Sequence, residues 1–154
     1  MVAGLSAEQA LEYIRTTAPD DVIDAITWLI EEGWRLDRTT GGPTESFGNL
    51  QAEFEHLGNR IWVIRDRNQW MLNLRPHGHR QFDLDVVLDA MAGRADWSGP
   101  HAVREQLPPD VSWQEAIPRA IGWIESTEDA DAILTDTRRR RRQSLFPSTR
   151  EVGQ

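Results

Sequence analysis

The chain has 154 residues, with 25 acidic side chains, 17 cationic ones that are all Arg, and no Cys, which excludes disulfides, thiolate metal sites and cysteine nucleophiles. Its charge is divided: residues 1–137 carry 24 acids against 11 Arg, a net of −13, whereas residues 138–154 carry 6 Arg against Glu151. The N-terminus reaches Glu8 before any apolar leader core forms, and no apolar run approaches the ~20 residues of a membrane span, so a cytoplasmic protein with no membrane association and no cofactor is expected.

In chain order, Ser6 and Gln9 have the spacing of a capping box, and Leu11, Ile14 and Ala18 continue at helical spacing to Pro19, which predicts a helix near 7–17. A second helix follows Asp20-Asp21, with Val22, Ile23, Ile26, Leu29 and Ile30 on one face and Gly33 as its stop; together the two read as an αα-hairpin. Trp34-Arg-Leu-Asp has the form of a short strand, followed by the loop signal Thr39-Thr-Gly-Gly-Pro-Thr. Leu50, Ala52, Phe54 and His56 alternate with polar residues, Arg60-Ile-Trp-Val-Ile-Arg is apolar on both faces as an inner strand would be, and Trp70, Leu72 and Leu74 alternate again. Short turns between them predict an antiparallel meander.

Further helices are predicted near 83–92, from Ser112 with Glu115 as a second capping box, and from about Thr127 into the Arg run. Proline inside a helix costs about 3 kcal/mol, so the element holding Pro118 either kinks there or starts afresh. The expected fold is α+β: a three- to four-stranded antiparallel meander packed with the N-terminal αα-hairpin and C-terminal helices. One domain over 1–137 would carry a basic, partly disordered tail over 138–154, frayed from Phe146 onward.

Chemistry-bearing patterns are sparse. His77-Gly-His79 places two imidazoles at i and i+2, with Asp83 or Asp85 nearby to complete a metal shell, but Pro76 and Gly78 also make the segment a turn, and His56 and His101 have no fixed relation to it. No nucleophile elbow, phosphate-binding Gly loop, dinucleotide fingerprint or His-Glu-x-x-His element occurs, which leaves no catalytic residue to assign. Asp85 and Asp89 repel at i, i+4, a feature of either a solvated face or one shaped for a cationic partner. On the second helix, Trp28 falls opposite the apolar face, beside Asp21, Asp24 and Glu31. It reads as an anchor for a basic partner, or as a ring covered by a later segment.

Arg138, Arg139, Arg140, Arg141 and Arg142 have enough charge to neutralise several phosphates, yet no aromatic residue interleaves them and the acidic body repels a polyanion. The acids Glu125, Glu128, Asp129, Asp131 and Asp136 just before them are nearer partners.

The segments Phe47-Gly-Asn-Leu-Gln-Ala-Glu-Phe-Glu, Gly58-Asn-Arg-Ile-Trp-Val-Ile-Arg-Asp-Arg-Asn-Gln-Trp and Phe82-Asp-Leu-Asp-Val-Val-Leu resemble small actinobacterial proteins of unknown function. Some proteins of that style look like immunity proteins of polymorphic-toxin systems. The resemblance spans about residues 46–92 and implies a cytosolic inhibitor that binds a cognate toxin, often through an acidic face; it transfers no functional residue. The expected function is binding of another, basic protein through Trp28, Asp24 and Glu31 or through Asp85 and Asp89. Two other readings stay open: a nucleic-acid-associated accessory protein using Arg138–Arg142, and a small enzyme with a carboxylate or His site.

Overall fold

A computed structural model describes residues 5–43, 48–92 and 112–145. The expectations for His101 and for the frayed end from Phe146 fall outside these residues. The elements in order are α1 (Ala7–Thr17), α2 (Asp20–Glu31), β1 (Arg35–Gly41), β2 (Leu50–His56), β3 (Asn59–Asp66), β4 (Gln69–Arg75), β5 (Phe82–Asp83), α3 (Leu84–Met91), α4 (Trp113–Ser126) and α5 (Ala130–Leu145). The fold is α+β, and its sheet is an antiparallel meander in the order β1-β2-β3-β4-β5. It has one strand more than the largest number expected, because the two residues of β5 pair with Asn73 and Leu74 at the end of β4.

Local chemistry sets the element boundaries. Ser6 Oγ accepts from the Gln9 N–H at 3.1 Å while Gln9 Oε1 accepts from the Ser6 N–H at 2.9 Å, so both halves of the α1 capping box form. Gly33 ends α2 at φ +95°, a conformation that L side chains rarely adopt. α4 is one helix through Pro118, with Ser112 as its cap, so it does not restart at the proline. α5 begins at Ala130, after Asp129 takes a positive φ of 57°, rather than at Thr127. It then runs through the whole Arg run, so residues 138–145 are the last turns of this helix.

Period-2 alternation sorts the sheet into two faces. Leu50, Ala52, Phe54, Ile61, Val63, Leu72, Leu74 and Phe82 join one core with Ile14, Ile26, Leu29, Val87, Trp113, Ile117, Ile124 and Leu134 from the five helices. Gln51, Glu53, Glu55, Arg60, Trp62, Ile64, Met71, Asn73 and Arg75 stand on the other face by the same register. In the helical layer α1 packs chiefly on β1, and α2 on α4, which in turn meets α3 and α5.

Candidate functional site

The apolar face of α2 is buried through Val22, Ala25, Ile26 and Leu29, and this orientation fixes what the helix shows to solvent. Asp20, Asp24, Thr27 and Glu31 follow one another at intervals of four, three and four and are all exposed, so they form one stripe along about three turns. α2 contains no cation, and no ion pair reaches Asp20, Asp24, Glu31 or Glu32 among the described residues. Ile30, 40% exposed, lies beside the stripe. Trp28 is half-buried and packs against the core, so only part of its ring borders the acids. Asp21 faces α4, where its Oδ2 accepts from Trp113 Nε1 at 2.9 Å.

The second acidic pair does not share this geometry. Asp85 is half-buried at the start of α3, and Asp89 is 3% exposed, inside the fold. A solvated or partner-facing surface containing both is therefore corrected: the i, i+4 spacing holds, but the helix turns Asp89 inward among Leu84, Val86 and Val87.

The two imidazoles also separate. The backbone N–H of His77 donates to Asn59 Oδ1 at 2.8 Å, and its exposed ring lies over Gly58 in the β2–β3 turn. His79 turns instead to α5, its Nδ1 2.9 Å from Asp131 Oδ1, while Asp131 Oδ2 accepts from the Arg80 N–H at 3.1 Å. Among the described residues, no group of three His, Asp or Glu is arranged to hold a metal ion. His56 packs on Trp34 at 5.5 Å between ring centroids.

The arginines of α5 are largely engaged. Arg138 stacks over the Phe82 ring at 5.2 Å, Arg139 pairs with Asp136, and Arg140 Nε lies 2.9 Å from the other Asp136 oxygen. The Arg139 hydrogen bond, helped by the charges of Arg140 and Arg139, holds the Asp136 carboxyl below the usual carboxylate range. Arg142 is exposed.

A polar network on the outer sheet face went unread in the sequence. Arg60 bonds both Asp37 Oδ2, at 3.0 Å, and Glu53, whose other oxygen accepts from Trp62 Nε1 at 2.9 Å; Arg75 stacks over the Trp62 ring at 5.8 Å. The hydrogen bond to Arg60 lowers the Asp37 pKa, and that to Asp37 raises the Arg60 pKa. Four strands contribute, so only the cross-strand register, with Arg38↔Glu53↔Trp62 at its centre, could have exposed it. Among the described residues, open clefts include one of about 490 Å³ beside Thr40, Gln51, Ile64 and Asp66, and one of about 480 Å³ between Arg80 and Asp131, Thr135, Asp136 and Arg139. No helix among the described residues is long and apolar enough to cross a membrane. Compared with protein-family models, curated proteins and solved structures, the chain gives no match.

Proposed function

We propose that this chain works by binding another protein of basic character, as an immunity-type inhibitor of a toxin or effector would. The observation that carries the reading is the α2 stripe: Asp20, Asp24 and Glu31 are exposed on one helix face without an internal cation. Several other acids are paired, as Asp37 and Glu53 with Arg60, Glu55 with Arg35, and Asp136 with Arg139 and Arg140. Unpaired like charge on a rigid helix costs a little stability and gives a field that steers a cationic partner. Ile30 and the open edge of Trp28 supply the apolar contact beside it that a hot spot needs.

The test is affinity capture with the wild-type chain and with the Asp24→Arg/Glu31→Arg double variant at equal helicity. The reading expects a basic protein retained by the wild type at low salt and lost with the variant. Capture of the same protein by both, or of none by either, counts against it.

A further inference from the structure

We propose that the cleft between the β4–β5 loop and α5 is a binding site for a small di- or polyphosphate, held between Arg80 and Arg139. The site is independent of the α2 surface. Its evidence is a juxtaposition that a sequence reading cannot give: Arg80 lies in the loop before β5, yet it shares a cleft of about 480 Å³ with Asp131, Ala132, Thr135, Asp136 and Arg139 of α5. That volume suits a small ligand.

The loop is fixed rather than loose where it meets the helix. Asp131 takes His79 on one oxygen and the Arg80 backbone N–H on the other, so the main chain at Arg80 is pinned to the first turn of α5. The Arg80 side chain is exposed and has no carboxylate partner among the described residues. On the opposite wall, Arg139 pairs with Asp136, whose other oxygen takes Arg140, and Arg142 is exposed one turn further on. Two acids therefore line the cleft, and both are committed to partners in the free protein.

An exposed ion pair is weak, whereas guanidinium and phosphate form charge-assisted, bidentate contacts. A phosphate entering the cleft meets Arg80 without a competitor and takes Arg139 in exchange for Asp136. Asp136 thus acts against the ligand while keeping the Arg139 guanidinium at the cleft wall before it arrives. This makes the roles of neighbouring residues opposite in sign: the arginines favour binding, and Asp136 opposes it.

The experiment is calorimetric titration of the full chain with inorganic pyrophosphate at low ionic strength. Arg80→Ala and Arg139→Ala are each expected to weaken binding roughly tenfold, the loss of one hydrogen-bonded charge contact. Asp136→Asn should tighten it several-fold, and Arg35→Ala, whose guanidinium pairs with Glu55 on the sheet, should leave it unchanged. Absence of saturable binding to the wild type, equal affinity in Arg80→Ala, or weaker binding in Asp136→Asn would each overturn the proposal. Binding of a short single-stranded oligonucleotide but not of pyrophosphate would overturn it as well, in favour of a nucleic-acid backbone along α5.

Discussion

α2 and the second half of α5 are the two most charged helical stretches of the molecule, and they handle charge in opposite ways. In α2 Asp20, Asp24 and Glu31 share one face with no ion-pair partner among the described residues and no cation on the helix. In α5 Asp136 takes two arginines, and Arg138 lies over a buried aromatic ring. The helix whose sequence is the more eye-catching is thus the one whose charges are mostly answered from within. A run of like charge shows where a field could be; pairing decides where it survives.

The comparison can be broken most severely at Trp113, which is 1% exposed and bonds Asp21 of α2. Trp113→Ala should cost about 3–5 kcal/mol in urea unfolding through the cavity left between α2 and α4. A loss under about 1 kcal/mol would mean that α2 is held by other contacts.

The next effect is an acid sensitivity belonging to α5 and the sheet network. The folded pKa values of Asp136 and Asp37 lie below the ordinary aspartate value of 3.8, so each favours the folded state at neutral pH. That contribution is present above 3.8 and is lost as the pH falls below it through the folded values. Asp136→Asn should reduce helical circular dichroism at pH 7, and the difference from wild type should shrink in acid. A constant difference across the titration would show that Asp136 acts by packing instead.

The smallest effect has the opposite sign. Asp20 and Asp24 repel at i, i+4, so Asp24→Asn should stabilise the fold by about 0.2–0.5 kcal/mol, less at high salt. If Asp24→Asn destabilises as Asp136→Asn does, the two helices do not differ in the way described.

Periodicity and capping signals made much of this fold legible. The Ser6–Gln9 box, the alternation through Leu50, Ala52 and Phe54, and the two-faced apolar run at Ile61–Ile64 all correspond to elements at their expected positions. Pairing across sequence distance was not legible. Asp89 looked solvated because helical spacing says which residues share a face, not which face is buried. The link from His79 to Asp131, and the approach of Arg80 to Arg139, depend on how α5 lies against the β4–β5 loop, which no local pattern encodes. The α2 stripe was half visible: its acids follow from spacing, but the burial of part of Trp28 depends on packing in the folded molecule.

The most direct test of the central claim is the association rate of the purified chain with its captured partner, followed across ionic strength for wild type and for Asp24→Arg/Glu31→Arg. Electrostatic steering by the α2 stripe predicts a wild-type rate that falls steeply with salt, and a slow, nearly salt-independent rate for the variant. Equal rates and equal salt slopes for the two would contradict it.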